Sequence, residues 1–90
     1  MLDEIAVKMG LSPEELERAS LRLFLTHQLR SIETQLLGLG HKYGVRTVSD
    51  LDNLVQTGRI HEAEAFEDYF DFDHLEAERD TLLEALKALS

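Results

Sequence analysis

Two long stretches of the sequence repeat apolar residues in steps of three and four, the spacing of a helix that packs along a second helix. In the first stretch the repeating positions are Leu25, Leu29, Ile32, Leu36, Leu39 and Tyr43. In the second they are Phe72, Leu75, Leu82, Leu86 and Leu89, with the charged Arg79 at one of the six positions. Each stretch belongs to a helix of about 30 residues, roughly 45 Å long. The spacing predicts an all-α protein built on a long antiparallel helical hairpin.

Gly, Pro and Ser mark the first helix boundaries. Gly10 is a natural C-terminal stop for a short helix within residues 1–10. Ser12 followed by Pro13 is typical of a helix start, because the Ser hydroxyl accepts a free N–H group and Pro needs no donor there. We therefore expect the first long helix to span residues 13–43.

The rest of the chain divides into a connector and a second long helix. Residues 45–60 contain a short helix that Ser49 is expected to cap, and residues 61–89 form the second long helix. Asp73 and Glu76 have the spacing of a further capping box, which would allow a kink near Phe72. Residues 1–90 thus form a single helical domain.

Apolar residues surround the first long helix near Leu21, Leu23, Phe24 and Leu25. A helix that is apolar on all sides must be covered on several sides, which a lone hairpin cannot do. We therefore expect a homodimer, most simply a four-helix bundle. The residues predicted to form the core or the dimer contact are Leu21, Phe24, Leu25, Leu29, Ile32, Leu36, Leu75, Leu82 and Leu86.

Composition narrows the class of protein. The 90 residues contain no Cys, which is compatible with a reducing, cytoplasmic location, and no apolar run is long enough to span a membrane. The net charge of −9 argues against nucleic acid as a ligand of the isolated chain, because phosphate binding needs clustered Lys and Arg. The charge is uneven: residues 61–90 hold ten acids and two bases, which indicates a surface for a basic partner.

The segment 61–74 is the most unusual part of the chain, with six carboxylates, two His and four aromatic residues. On a helix its carboxylates fall near one face, beside aromatic side chains of the kind that dominate binding hot spots. The predicted partner-binding residues are Glu64, Phe66, Glu67, Asp68, Tyr69, Phe70 and Asp71. The aromatic members could instead be core, and the carboxylates a solvated face.

Two other kinds of site find less support in the sequence. Asp71 and His74 form one Asp-x-x-His pair without the second copy that a di-metal helical bundle uses, so a carboxylate-rich metal-binding bundle is only an alternative. No Ser/His/Asp or Cys/His set and no phosphate-binding glycine loop is suggested by spacing. We expect a protein that is not an enzyme and carries no cofactor.

The first 28 or so residues contain a short helix over residues 2–10, the Ser12-Pro13 start and a small and apolar pattern over residues 19–25. In these features the segment resembles ribbon-helix-helix proteins. That family reads DNA with a β-strand before its first helix, and this sequence starts at Met1 without one. The resemblance therefore implies a dimerising helix pair without the DNA-reading strand.

The chain as a whole, with Lys42-Tyr-Gly-Val45 at the turn and Phe66-Glu-Asp-Tyr-Phe70 in the acidic segment, also resembles small prokaryotic antitoxins. That resemblance implies a protein that neutralises a toxin. Many such toxins act on RNA and carry a basic groove, which an acidic helix bearing aromatic residues would complement. The other open hypothesis is a self-assembling helical bundle with no heterologous partner.

Overall fold

A computed structural model of the 90-residue chain contains four α-helices and no β-strand, which confirms the all-α prediction. The helices are α1 (Leu2–Met9), α2 (Pro13–Tyr43), α3 (Val48–Gln56) and α4 (Glu62–Leu89). None of them is both long and apolar enough to cross a membrane.

The two long helices, α2 and α4, pack side by side and run in opposite directions. Near one end of the pair, Arg22 Nη2 donates to the backbone carbonyl of Leu89 over 3.2 Å. Near the other end, Lys42 Nζ lies 2.5 Å from Asp68 Oδ2. The repeating positions at steps of three and four lie along this contact, where Ile32 and Phe72 are buried and the others are partly buried.

The ends of the two long helices are not level with each other. Because Leu89, the last residue of α4, lies beside Arg22, the start of α2 projects beyond α4. The projecting part, Pro13–Leu21, is about nine residues or roughly 13 Å. The short helix α1 packs against α2 and buries Ala6.

At the opposite end, α3 packs on α4 both beside the end of α2 and beyond it. Leu51 of α3 forms a fully buried cluster with Ala65 and Phe72 of α4. The partly buried side chains that pack against this cluster are Leu36, Leu39, Tyr43, Val45, Val48, Val55, Ile60 and Tyr69. The main core of the protein is therefore at the α3 end.

The helix caps correct two expectations. Ser12 Oγ accepts the Glu15 N–H group at 3.1 Å, but α3 is capped by Thr47, whose Oγ1 accepts the Asp50 N–H group at 3.1 Å, and not by Ser49. Asp50 Oδ2 in turn accepts the backbone N–H of Arg46, the residue before the cap, at 3.3 Å, so both side chains satisfy donors at the start of α3.

The second correction concerns the predicted capping box of Asp73 and Glu76. Helix α4 is unbroken from Glu62 to Leu89. Glu76 does not cap α4; its Oε2 accepts the Val48 N–H group at the start of α3, at 3.0 Å. The carboxylate thereby satisfies a free donor at a helix N-terminus and joins α3 to α4.

Gly40 is required by the turn that follows α2. The Val45 N–H group donates to the Gly40 carbonyl at 2.9 Å, and a Cβ at Gly40 would lie 2.6 Å from the Val45 carbonyl oxygen. Gly38, one half-turn earlier, would meet nothing within 4 Å. The two glycines of α2 therefore have different structural roles.

The molecule is a rod of 61 × 19 × 16 Å. Its Cα radius of gyration is 18.8 Å, whereas a compact domain of this length has about 12 Å. Only six residues are buried.

Candidate protein-interaction site

The predicted partner-binding segment forms the first half of α4. The structure separates its aromatic and acidic side chains into three groups with different surroundings. Phe66 and Phe70 face outward, Tyr69 packs against the core, and the carboxylates are divided between free and bonded positions.

Phe66 and Phe70 form an exposed aromatic pair. Each residue is 56% exposed to solvent, and the two ring centroids lie 5.0 Å apart at an interplanar angle of 80°. The edge-to-face contact is the arrangement that the ring quadrupoles favour, and it holds the two rings in a fixed relative orientation. A large aromatic surface that is both ordered and exposed is typical of a protein contact.

This aromatic pair borders a cleft of about 240 Å³ between α3 and α4. The cleft is lined by Asp52, Val55, Glu62, Ala65, Phe66, Tyr69 and Phe70. Most of the lining side chains are apolar or aromatic. The lining also contains two carboxylates, Asp52 and Glu62, and no cationic side chain. Neither carboxylate takes part in an ion pair; Asp52 accepts only the amide of Gln56, at 2.9 Å. The cleft suits an apolar anchor with a positive charge beside it.

Three of the predicted carboxylates, Glu64, Glu67 and Asp71, are exposed and make no ion pair. On α4 they lie around the helix from the aromatic pair, toward α2, because a helix turns by about 100° per residue. These three carboxylates therefore do not line the cleft, but they add to the negative charge on the same part of α4.

Asp68 differs from these three because it is bonded within the chain. Its carboxylate accepts the Lys42 ammonium at 2.5 Å and also the Tyr43 hydroxyl. These two bonds lower the pKa of Asp68, while Asp68 raises the pKa of Lys42. Burial, followed by the bond to Asp68, raises the pKa of Tyr43. The Asp68 cluster, which comprises Lys42, Tyr43 and Asp68, therefore clamps α2 to α4.

Tyr69 has a mixed position. Its ring packs against the buried cluster of Leu51, Ala65 and Phe72, and it also meets Phe70 edge-on at 5.8 Å between centroids. Tyr69 thus lies between the core and the exposed aromatic pair. The aromatic side chains available to a partner are Phe66 and Phe70.

A second groove runs between α2 and α4, with a volume of about 600 Å³, and is more open to solvent than the cleft. Asp71, His74 and Glu78 line one side of it, and His74 Nε2 lies 2.9 Å from Glu78 Oε1. No three His, Asp or Glu side chains are grouped so that they could hold a metal ion. The arrangement of Asp71 and His74 does not favour the metal-binding alternative.

The predicted core and dimer residues also fall into two groups. Ile32 is buried, and most of the others are partly buried between α2 and α4: Leu25, Leu29, Leu36, Leu75, Leu82 and Leu86. Leu21 and Phe24 are exposed near the projecting start of α2.

The residues that sequence reasoning missed are those that α3 contributes to the cleft, Asp52 and Val55. Their signal is the apolar spacing of Val48, Leu51 and Val55, which marks one face of a helix that packs. Glu62, at the first position of α4, belongs to the acidic segment predicted to meet a partner, but its place beside the cleft depends on where α3 docks.

Comparison with curated proteins and with solved structures gave no significant match. A family model, by contrast, matches the chain over residues 1–90. By that match the chain belongs to the family described as Uncharacterized protein MJ0235 family.

Proposed function

We propose that the protein is a non-catalytic binding module that recognises a basic protein through the cleft between α3 and α4. The observation that carries this proposal is the exposed pair Phe66 and Phe70, fixed edge-to-face beside unpaired carboxylates. Rigid aromatic anchors supply binding energy at low entropic cost, and surrounding charge selects the partner.

The charge of the chain supports a basic partner. Residues 61–90 carry ten acids and two bases, and one of the bases, Arg79, lies 3.2 Å from Asp80. A partner with an apolar or aromatic anchor flanked by Lys or Arg would fill the cleft and offset this charge. Neutralisation of a basic toxin, as an antitoxin does, is one function that such a surface would perform.

Affinity capture from a native lysate tests the proposal when wild type is compared with a Phe66→Ser, Phe70→Ser double variant. A matched control is Leu37→Ser, which alters an equally exposed apolar side chain on α2. We expect a basic protein that is retained by wild type and by the control and lost by the double variant. Equal retention by all three baits, or capture of no basic protein, would contradict the proposal.

The antitoxin role has a separate test. The gene next to the one encoding this chain should specify a small basic protein that arrests growth when expressed alone. Growth should resume when the wild-type chain is co-expressed, and should remain arrested with the Phe66→Ser, Phe70→Ser variant. If expression of the basic partner did not arrest growth, the antitoxin role would be contradicted, whereas the proposed binding function would stand.

A second candidate function is self-assembly without any other partner. The observation that favours it is the exposed apolar surface around α1 and the start of α2. Capture of the chain by itself alone, with no other protein enriched, would support this candidate over the first.

A further inference from the structure

Three basic side chains meet at one pocket, where α2, the turn after α2 and α4 come together. Arg46 comes from the turn, Arg79 from α4 and His41 from the last turn of α2. We call it the basic pocket; its polar lining is these three side chains and Glu33, and its volume is about 400 Å³. In a chain with a net charge of −9, this local excess of bases reverses the overall balance.

Arg79 occupies a position at which the sequence pattern favours an apolar residue. The other five of the six repeating positions in α4 are Phe72 and four Leu. The Arg79 side chain is 35% exposed, and its ion-pair partner is the next residue, Asp80, whose side chain is 66% exposed. Such a surface pair contributes little to stability. Two guanidinium N–H groups donate to one Asp80 oxygen at 3.2 Å, which leaves the remaining N–H groups of Arg79 available.

Arg46 is exposed and takes part in no ion pair. The acids nearest to the two arginines along the helices bond elsewhere. Asp50 Oδ2 accepts the backbone N–H of Arg46, not its guanidinium, and Glu76 Oε2 accepts the Val48 N–H group. Glu33 lines the basic pocket but forms no ion pair with either arginine. The pocket therefore contains two guanidinium groups with donors available to a ligand.

The rest of the lining is apolar. Leu36, Leu37 and Val45 contribute side chains, and Gly40 lets the Val45 carbonyl oxygen approach α2, since a Cβ at residue 40 would lie 2.6 Å from that oxygen. Small-molecule sites are usually concave, roughly 300–1,000 Å³ in volume, and apolar with a few polar groups. The basic pocket has this form, so it suits an organic molecule better than a bare ion.

The two arginines of the basic pocket come from parts of the chain that the fold brings together. A second pair of arginines, Arg18 and Arg22, differs in this respect, because Glu14 and Glu15 line the same groove and all four residues belong to the start of α2. That groove is a mixed-charge face of one helix. The basic pocket, by contrast, forms only when α2 and α4 pack against each other.

We propose that the basic pocket binds a small organic oxyanion, a carboxylate or a phosphate monoester on an apolar body. A guanidinium group suits both anions, because its planar fork donates two parallel N–H···O bonds to them. Arg46 and Arg79 hold the anionic group, and Leu36, Leu37 and Val45 cover the apolar body. This site goes beyond the proposed function and does not rest on it, because the cleft between α3 and α4 is lined by other residues.

Titration of the full-length chain with phenyl phosphate and with benzoate, followed by NMR of the backbone amides, tests the proposal. Benzamide, which carries a ring without a charge, is the control ligand. We expect saturable shifts at the amides of Gly40, Val45 and Arg46 with one or both anions, at dissociation constants of about 1 mM for ligands of this size. The anion that binds more tightly identifies the natural class, and benzamide should cause no saturable shift.

Substitutions separate a ligand-binding role of the arginines from a packing role. Arg79→Met keeps an apolar stem and removes the charge, so it should retain the melting temperature and weaken anion binding by about tenfold. Arg46→Met should weaken binding to a similar extent, and Arg79→Lys, which keeps the charge without the fork, should have an intermediate affinity. Lys87→Met removes the other base of α4, outside the pocket, and is the matched control that should bind as wild type does.

Three results would overturn the proposal: no saturable shift with either anion up to about 10 mM, tenfold above the expected constant; equal binding of benzamide; or unchanged affinity in both Arg→Met variants. An equal loss in Lys87→Met would also overturn it, because the attraction would then belong to the whole chain and not to the pocket. If Arg79→Met lowers the melting temperature, Arg46→Met decides the outcome, since the Arg46 side chain is exposed and its loss should leave the fold intact.

Discussion

Lys42 and Asp68 join the two long helices near the turn, with Nζ and Oδ2 2.5 Å apart, and the Tyr43 hydroxyl donates to the same carboxylate oxygen. Asp68 lies in the middle of the acidic segment, between the free carboxylates Glu67 and Asp71. Neighbouring acids of one segment therefore have separate roles: Asp68 bonds α4 to α2, whereas Glu67 and Asp71 are exposed to solvent.

The Asp68 cluster should make stability depend on pH at both ends of the scale. The pKa of Asp68 is lowered by folding, so its contribution is present above its unfolded value near about 4 and is lost as pH falls through the lower folded value. The pKa values of Lys42 and Tyr43 are raised, so their contributions are present below about 10 and are lost as pH rises through the folded values.

Asp68→Asn should therefore lower the melting temperature most between about pH 4 and pH 10, and the difference from wild type should shrink on either side. Thermal unfolding followed by circular dichroism across this range measures it. Glu67→Gln, which removes a neighbouring carboxylate that makes no ion pair, is the control. A constant difference at all pH values would exclude the ionic contribution.

Gly40→Ala and Gly38→Ala should change stability in opposite directions. A Cβ at residue 40 would press on the Val45 carbonyl oxygen, a backbone atom that cannot move aside cheaply, and should cost about 1–3 kcal/mol. A Cβ at residue 38 meets open space and should add up to about 1 kcal/mol through helix propensity. Urea unfolding of both variants compares the two free energies, and a destabilised Gly38→Ala would show that residue 38 contacts something the single chain lacks.

Phe72 and Phe70 are two residues apart but should behave differently on truncation. Phe72 is fully buried in the cluster with Leu51 and Ala65, so Phe72→Ala should cost about 3–5 kcal/mol. Phe70 is 56% exposed, so Phe70→Ala should cost less than about 1 kcal/mol. Chemical denaturation measures both, and similar losses would mean that the exposed pair is part of the core.

Much of the hairpin could be predicted from sequence, because the spacing of Leu25, Leu29 and Ile32 reports directly which side of a helix is covered. The start of α2 at Ser12 and Pro13 could also be predicted, because helix capping depends on neighbouring residues alone. The position of α3 was not, because it depends on long-range contacts such as that of Glu76 with the Val48 N–H group.

The candidate site shows the same division between local and long-range information. Composition identified the acidic aromatic segment, but helical spacing alone could not separate Tyr69, which rests on the core, from Phe66, which does not. Asp68 resembled its neighbours until Lys42 and Tyr43 were brought beside it by the turn after α2. The cleft itself exists only because α3 docks on α4.

The free carboxylates should control how fast a basic partner arrives. Changing Glu64, Glu67 and Asp71 to Gln or Asn weakens the long-range attraction, so the association rate constant should fall and depend less on salt. Asp68 is left unchanged, because its loss would disturb the hairpin. Stopped-flow or surface-plasmon measurements at several ionic strengths check this, and an unchanged rate at low salt would show that these charges do not steer binding.

The most direct test of the binding function is the dissociation constant for the captured basic protein, measured with wild type and with single Phe66→Ala and Phe70→Ala variants. Each should raise the constant by about tenfold to a hundredfold, mainly through faster dissociation, with the melting temperature of the free chain little changed. Phe24→Ala, which truncates an exposed ring in a groove between α2 and α4 and away from the cleft, should bind as wild type does. Wild-type affinity in both cleft variants, or an equal loss in Phe24→Ala, would contradict the assignment of the cleft as the partner site.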